Sequence, residues 1–199
     1  MFQRFSRIIR TWISRAMVFC LGIRRGVQIS PECYVKGWPD ICIFDDGKII
    51  LGEGVVLNSS RKRYHVGLYG PVRLIANGSN AIIEIGSNTR IHGSSIQAKG
   101  CLKIGANCLI AANCQILDNN GHDVLIVSPE KRISTHGTVK SVTIEDDVWV
   151  GMNSIILPGS TIRRGAVIAA GSIVRGEVPE NALFASPSGS VVKQISKSE

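Results

Sequence analysis

"IEDDVWVGMNSIILPGSTIRRGAVIAAGSIVRGEVP", residues 144–179, carries an isoleucine or a valine at every sixth position. The recurring positions are Ile144, Val150, Ile156, Ile162, Ile168 and Val174. The same spacing occurs upstream at Ile104, Ile110 and Ile116, at Ile85 and Ile91, and at Ile29, Val35 and Ile41. A helix would scatter such residues around its surface, because its period is 3.6, and a simple strand repeats every two residues. A different architecture is therefore needed.

A coil with three flat faces explains the period of six. Each face takes about six residues, a short strand and a tight turn, so that one β-branched side chain per face points inward. Coils of this kind stack as parallel strands, and each buried isoleucine or valine contributes about 1.5–3 kcal/mol. The sequence therefore predicts an all-β parallel β-solenoid.

Length, charge and cysteine usage restrict the function classes. The 199 residues suffice for about one domain. Of the net charge of +8, residues 1–31 supply +6 through six arginines without an acid. A general nucleic-acid surface is therefore not expected, since the basic character belongs to one end. No apolar run reaches the ~18 residues of a membrane span. Six cysteines without a C-x-x-C pair indicate buried thiols in a reducing cytoplasm.

Residues 1–25 are predicted to form a basic amphipathic helix. One face gathers Phe5, Ile9, Trp12, Ile13, Ala16, Met17 and Cys20. The opposite face gathers Arg4, Arg7, Thr11, Ser14 and Arg15, with Arg10 at the border. Such a helix suits peripheral contact with an anionic membrane, and it equally suits packing on its own domain or on a neighbouring subunit. A cleaved targeting peptide is disfavoured, because no A-x-A-like site follows.

The segment "VTIEDDVWVGMNSIILPGSTIRRGAVIAAGSIVRGEVPENALFASPSGSVVKQI", residues 142–195, resembles the C-terminal half of hexapeptide-repeat acyltransferases. The maltose, galactoside and colanic-acid O-acetyltransferases belong to this family. The resemblance covers roughly residues 26–193, and it implies a left-handed parallel β-helix. We expect the helical segment 1–25, the acyltransferase domain 26–185 and a C-terminal segment 186–199, a short tail or helix.

Two insertions interrupt the repeat, near residues 59–73 and 118–141. The second begins "DNNGHD" and contains His122. Acyl transfer from a thioester to a hydroxyl needs a base, and histidine is the usual choice, with a carboxylate or carbonyl on its other nitrogen to set the tautomer. Four candidate orienting residues are close in sequence: Asp118, Asn119, Asn120 and Asp123. The family's catalytic histidine falls on His122, and its later arginine falls on Arg132. A loop histidine without a role is the alternative.

The resemblance also implies a groove beside the solenoid for the pantetheine arm of acetyl-CoA. Small residues are needed there, because the ligand approaches the main chain. The implied donor-site residues are Trp149, Gly151, Met152, Ala169, Ala170, Gly171, Arg175 and Lys193. The amide of Met152 falls where relatives stabilise the thioester oxygen, and Arg175 replaces a family lysine that meets phosphate. Tight corners alone could also explain the glycines.

Ser94 and Ser95 are candidates for binding the acceptor, since relatives carry serine or threonine in this region. His92 departs from that pattern. The four histidines also raise the zinc-dependent carbonic anhydrases of this solenoid, which need a close H-x4-H pair. Here neighbouring histidines are 27, 30 and 14 residues apart, so no metal is expected.

The sequence therefore predicts an acetyl-CoA-dependent O-acetyltransferase of a sugar hydroxyl in cell-surface polysaccharide or lipopolysaccharide synthesis. The resemblance implies a homotrimer with its sites between subunits. The expected location is the cytoplasm, with peripheral contact at the inner membrane. Two alternatives stay open: acetylation of a free sugar, amino sugar or antibiotic, and a non-catalytic β-helix used for assembly.

Overall fold

The computed structural model describes the backbone of residues 2–62, 64–186 and 190–194, and the side chains of residues 11–62 and 64–186. Within these residues, helix α1 (Phe2–Gly22) precedes a series of short strands. A 3₁₀ helix at Pro129–Ser134 interrupts the series. The strands form three sheets, which are named A, B and C below.

Each turn of the chain contributes one strand to each sheet in the order A, B, C. Sheet A contains β1 (Val27–Ile29), β4 (Lys48–Leu51), β7 (Ile82–Ile85), β10 (Cys101–Ile104), β13 (Val142–Ile144), β16 (Thr161–Ile162) and β19 (Glu177–Val178). Sheet B contains β2 (Tyr34–Lys36), β5 (Val56–Asn58), β8 (Arg90–His92), β11 (Leu109–Ile110), β14 (Trp149–Val150), β17 (Val167–Ile168), β20 (Ala182–Ala185) and β21 (Ser190–Gln194). Sheet C contains β3 (Asp40–Phe44), β6 (Arg73–Asn77), β9 (Ser95–Ala98), β12 (Gln115–Leu117), β15 (Ile155–Ile156) and β18 (Ile173–Val174).

The six-residue repeat forms the core of this three-sided prism. Strands from successive coils pair in parallel, so that Ile144 lies beside Ile162 and Val150 beside Ile168. The six repeat positions from Ile144 to Val174 are each at most 1% exposed. The predicted β-solenoid is therefore confirmed, because the inward column of β-branched side chains is closed on all three faces.

Asparagine and aspartate occupy the corners between sheets A and B. Asn88, Asn107 and Asp147 have φ values of 60°, 57° and 61°, a left-handed conformation that these residues tolerate better than most. Asn88 Nδ2 donates to Asn107 Oδ1 at 3.4 Å, and Asn107 Nδ2 donates to Asp147 Oδ1 at 3.2 Å. Each corner therefore makes its sharp turn and is also linked to the next coil.

The two insertions leave the prism at different edges. Residues 59–72 lie between β5 and β6, at the edge where sheet B meets sheet C (the B/C edge). Asn113 holds this segment, since its Nδ2 donates to the Gly67 carbonyl at 2.9 Å and its Oδ1 accepts from the Tyr69 amide at 2.9 Å. Residues 118–141 lie between β12 and β13, at the edge where sheet C meets sheet A (the C/A edge).

Helix α1 covers the first coil, and the face that it buries differs from the expected apolar face. Val18 and Leu21 are buried in the core, and Ser14, which was placed on the polar face, is only 2% exposed. The Ser14 hydroxyl accepts from the Val35 amide of β2 at 2.8 Å, an edge amide that needs a partner. Trp12 of the predicted apolar face is instead 66% exposed. No described helix combines the length with the hydropathy that a membrane-spanning segment requires.

The C-terminal segment differs from the expected tail or helix. Residues Ser190–Gln194 form strand β21, which pairs antiparallel with β20. The sequence "SVVKQ" contains two consecutive valines, which favour a strand, and β20 otherwise leaves the last edge of sheet B unpaired. The returning strand therefore closes the C-terminal end of this sheet.

Candidate active site

The long insertion is held to the prism through its first two residues. Asp118 is completely buried, and its two carboxylate oxygens accept from the amides of Lys99 and Gly100, each at 2.8 Å. Asn119 Oδ1 accepts from the Gly121 amide at 2.6 Å, and Asn119 Nδ2 donates to the His136 carbonyl at 3.2 Å. The expected role of Asp118 and Asn119 is therefore corrected: they position the loop and do not orient the imidazole directly.

His122 is oriented by a backbone carbonyl across the same loop. Its Nδ1 lies 2.9 Å from the carbonyl oxygen of Arg132. A carbonyl oxygen only accepts, so Nδ1 carries the proton and the neutral ring presents Nε2 with a free lone pair. The Arg132 carbonyl also accepts from the Thr135 hydroxyl at 2.7 Å, which fixes its direction. This arrangement leaves Nε2 available to accept a proton.

Arg132 contributes to the loop rather than to the open space around His122. Its Nε donates to the Leu125 carbonyl at 2.9 Å. Thr135 adds a second link, because its hydroxyl accepts from the Asp123 amide at 2.8 Å. The hydrogen bonds of Arg132 and Thr135 therefore link the two sides of the insertion around the His122 ring.

A cleft of about 470 Å³ opens beside His122 at the C/A edge. Asn120 and Asp123, the other two candidate orienting residues, line it from the loop, and Lys140 and Arg175 add positive charge. Lys140 was not identified from the sequence, because it lies just outside the resemblance motifs and reaches the cleft through the return of the loop. The cleft combines a proton acceptor with cations, which suits a substrate bearing hydroxyl and anionic groups.

A second, mostly apolar groove of about 350 Å³ lies at the B/C edge. Five of the expected donor-site residues line it: Trp149, Gly151, Met152, Ala169 and Ala170. A Cβ on Gly151 would come within 2.5 Å of the Ala170 amide nitrogen, so this position requires glycine for coil packing. The structure thus supports the corner interpretation of this glycine and also places it in the groove.

The remaining donor-site candidates lie elsewhere. Gly171 follows the groove at an exposed turn with φ of 73°. Arg175 lines the His122 cleft instead. Lys193 lies in β21 opposite Leu183, and its side chain lies outside the described residues.

The first insertion forms one wall of the apolar groove, which sequence reasoning missed. Tyr64, His65 and Val66 line it beside Trp149. The Tyr64 ring stacks on His92, with centroids 4.8 Å apart and planes 16° apart. An aromatic residue inside a polar insertion was the available signal, because such a residue needs a surface to cover it.

The two serines proposed for the acceptor are not equivalent. Ser94 is completely buried, and its hydroxyl donates to the Ala111 carbonyl at 2.7 Å and accepts from the Cys114 amide at 2.9 Å. Ser94 is therefore a corner residue rather than an accessible acceptor contact, which corrects that expectation. Ser95 lines a separate depression with Asp40 and Arg73 on sheet C.

The environments of His92 and the cysteines limit their chemistry. Burial, together with the nearby charge of Arg90, lowers the pKa of His92 to about 4, so this ring is neutral near pH 7. Burial raises the pKa of Cys33 and of Cys108 to about 11, and it also raises the pKa of Cys114. These three thiols are therefore poor nucleophiles, in agreement with a reaction that needs no covalent enzyme intermediate.

The His122 cleft and the apolar groove lie at different edges of the prism. Sheet C separates them, since the groove follows the B/C edge and the cleft follows the C/A edge. A three-sided β-helix with an oriented loop imidazole and a separate apolar groove has the parts of an acyltransferase that binds its donor along the coils.

Comparisons with known proteins identify the family. The family model for bacterial transferase hexapeptide (six repeats) matches residues 141–176. A protein of Escherichia coli strain K12, provisionally named as a lipopolysaccharide biosynthesis O-acetyl transferase, is 31% identical over 170 residues, which are 81% of this chain and 76% of that protein. The chain therefore belongs to the hexapeptide-repeat acyltransferase family.

Solved structures agree in fold. A galactoside acetyltransferase in complex with coenzyme A has a TM-score of 0.56 and 31% identity, over 71% of this chain and 65% of that chain. A hexapeptide-repeat acetyltransferase of Vibrio cholerae complexed with acetyl coenzyme A has a TM-score of 0.56 and 26% identity, over 64% of this chain and 66% of that one. The predicted family, left-handed parallel β-helix and enzyme class are confirmed, and the predicted co-substrate agrees with both complexes.

Proposed function

We propose that this protein transfers an acetyl group from acetyl-CoA to a sugar hydroxyl, with His122 as the general base. The observation that carries the proposal is the hydrogen bond from His122 Nδ1 to the Arg132 carbonyl, which leaves Nε2 as the acceptor nitrogen. The position of this ring in a cleft with Lys140 and Arg175 supports the same role, because both substrates require contacts near the base.

The proposed reaction is a direct transfer. His122 Nε2 takes the proton of the acceptor hydroxyl while its oxygen attacks the thioester carbonyl of acetyl-CoA. The negative charge that develops on the carbonyl oxygen is stabilised by a main-chain amide, for which Met152 is the candidate. The carbon–sulfur bond then breaks, and the imidazolium returns the proton to the departing CoA thiolate.

We assign the pantetheine arm of the donor to the apolar groove and its phosphates to cations outside the groove. The pantetheine arm would lie along Trp149, Gly151, Ala169 and Ala170. Arg175 lines the His122 cleft and not this groove, so it is a candidate for phosphate contact only where the cleft of one subunit faces the groove of its neighbour. By contrast, Arg163 pairs with Glu145 and Glu177 in the structure, so its charge is already balanced.

A homotrimer would bring the two half-sites together. In one chain, sheet C lies between the cleft and the groove, so we propose that the cleft of one subunit faces the groove of its neighbour. Threefold packing of prism edges would repeat this junction at each interface.

The proposed acceptor is a sugar in a cell-surface glycan, assembled on a lipid carrier at the cytoplasmic face of the inner membrane. The name of the Escherichia coli relative favours it. A free sugar is the second candidate, favoured by the structural match to galactoside acetyltransferase. Mass spectrometry of candidate acceptors after incubation with acetyl-CoA would separate them by which one gains one acetyl unit.

The direct test replaces the base. His122→Ala should reduce the rate of acetyl transfer by about 10²–10⁴-fold while acetyl-CoA binding is retained. His136→Ala is the matched control, because His136 is an exposed histidine of the same loop that does not line the cleft. Near-normal transfer by His122→Ala would refute the assignment. Failure of the wild-type protein to bind acetyl-CoA would instead favour the non-catalytic assembly protein.

A further inference from the structure

Helix α1 uses one face to cover the prism. Ser14, Val18 and Leu21 are each at most 6% exposed, and Ser14 accepts the edge amide of Val35. Strand amides in a β-helix point along its axis, so a side chain that meets an unpaired amide of the first coil lies at the end of the prism. Helix α1 therefore lies across this end.

The other side of α1 presents large apolar side chains that the described residues do not cover. Trp12, Ile13, Phe19 and Ile23 are 66%, 49%, 70% and 71% exposed. Helix periodicity places Trp12, Ile13 and Phe19, on average, about 170° around the axis from the buried face. We call these four residues the open face of α1, although Ile23 directly follows the last helical residue. It points away from the prism, which argues that its role is not packing within the chain.

Charge decides between a membrane and a second copy of the chain. Residues 1–31 carry six arginines and no acid; Arg25 is paired with Asp46 of the prism, and Arg15 is exposed on α1 between its two faces. Two copies of this segment placed together would repel each other. Anionic head groups would instead complement the arginines, and tryptophan and phenylalanine suit the boundary between head groups and acyl chains.

We propose that the open face of α1 binds the surface of a bilayer that contains anionic phospholipid. The helix then lies in the membrane plane, and the prism stands on it with its axis roughly along the membrane normal. The loop of His122 follows the fourth coil, so it would lie roughly 25 Å from the membrane-facing side of α1, from a helix diameter of about 10–12 Å and three coil spacings near 4.8 Å. An acceptor linked to a lipid would have to extend by that distance.

The test is co-sedimentation of the full-length protein with vesicles. One preparation contains phosphatidylcholine alone, and the other contains about 30 mol% phosphatidylglycerol. We expect binding to the anionic vesicles to be at least about ten-fold stronger than binding to phosphatidylcholine alone. Addition of about 0.5 M NaCl should weaken the binding to the anionic vesicles. The triple variant Trp12→Ser, Phe19→Ser and Ile23→Ser should lose most of this binding.

The matched control removes equally exposed apolar residues elsewhere. Ile126, Val127 and Ile133 are 81%, 97% and 82% exposed in the long insertion, and their serine triple variant should bind vesicles like the wild type. Equal binding by the open-face variant, or wild-type protein that stays in the supernatant with both vesicles, would overturn the proposal. If the wild-type protein does not bind vesicles and the open-face variant has a reduced oligomeric mass, the proposal is also overturned. That result would identify the open face as a subunit contact instead. Acetyl-CoA binding should be unchanged in the open-face variant, so failure here is separable from failure of the proposed reaction.

Discussion

At the scale of single residues, two histidines show how the same ring takes different roles from different surroundings. His122 is exposed, and a carbonyl of its own loop holds its Nδ1 proton. His92 lies under Tyr64, and its Nδ1 is 3.2 Å from Asn58 Nδ2, an amide group that donates. The first arrangement leaves Nε2 of His122 available at a cleft, whereas the ring of His92 packs against Tyr64 and bonds to Asn58. Because a carbonyl and not a carboxylate holds the His122 ring, no negative charge is placed beside Nδ1.

The neutral state of His92 predicts a loss of stability in mild acid. Its folded-state pKa is about 4, below the ordinary 6.5, so the unfolded chain takes up a proton first as the pH falls. The contribution is present above pH 6.5 and is lost as the pH falls toward 4. Between pH 7 and pH 4.5 we expect this group to reduce the free energy of unfolding by about 2–3 kcal/mol.

Denaturant unfolding at the two pH values would measure this effect against His92→Asn. Asparagine can accept the same bond from Asn58 and does not titrate, so the variant should lose about 2–3 kcal/mol less than the wild type over this range. An identical pH dependence of the two proteins would show that His92 does not contribute.

At the scale of elements, the long insertion depends on one buried carboxylate. Asp118 accepts two main-chain amides of the preceding coil, and the insertion follows directly from that point. The bond between His122 and Arg132 spans ten residues within the insertion, so it can form only if both ends of the loop are held. Rigid attachment to a stacked coil is therefore a condition for orienting the proposed base.

Asp118→Ala should impair both stability and catalysis. The amides of Lys99 and Gly100 would be left without partners, and we expect a loss of about 2–4 kcal/mol in the free energy of unfolding. Below the melting transition, kcat should also fall, because the loop that carries His122 loses its attachment.

Asp146→Ala is the control at this scale. Asp146 Oδ1 similarly accepts the Ala106 amide of another coil at 2.8 Å, but no insertion begins there. This variant should lose stability while its kcat stays within about two-fold of the wild type. Unimpaired kcat in folded Asp118→Ala would contradict the proposed link between loop attachment and catalysis.

At the scale of the whole molecule, sheet C separates the cleft from the groove, so the proposed reaction needs the two half-sites to come from neighbouring subunits. If the site is shared between neighbours, two defective chains can restore it. His122→Ala removes the base, and Ala170→Trp fills the groove at an exposed position. With equal co-expression and random assembly, roughly a quarter of all sites should be intact, because a site needs its cleft from the Ala170→Trp chain and its groove from the His122→Ala chain.

Measurement of acetyl transfer by the co-expressed mixture, and by each variant alone, would check this prediction. Each variant alone should be inactive. A mixture that remains as inactive as the separate variants would show that one chain supplies the whole site.

The repeat of isoleucine and valine from 144 to 174 was enough to predict the prism, because an inward column constrains every sixth residue independently of distant contacts. His122 could also be selected from sequence, since it stands where the repeat breaks and near a recognisable motif. The hydrogen-bond partner of His122 could not be selected in this way, because every residue has a backbone carbonyl and the residue type at 132 does not distinguish it. The same applies to Ser14 and Ser94, whose hydroxyls accept the main-chain amides of Val35 and Cys114 from an adjacent coil.

The period, the corners and the place of the insertions can be read from the amino-acid sequence, because all of them arise from neighbours along the chain. Three-dimensional packing was needed to establish which side of α1 covers the prism, that Tyr64 lines the apolar groove, and that the cleft and the groove lie at separate edges. These features depend on which edge each insertion reaches and on which polar groups the coils leave unpaired. Contacts of that kind join residues far apart in sequence, so the local sequence pattern does not predict them.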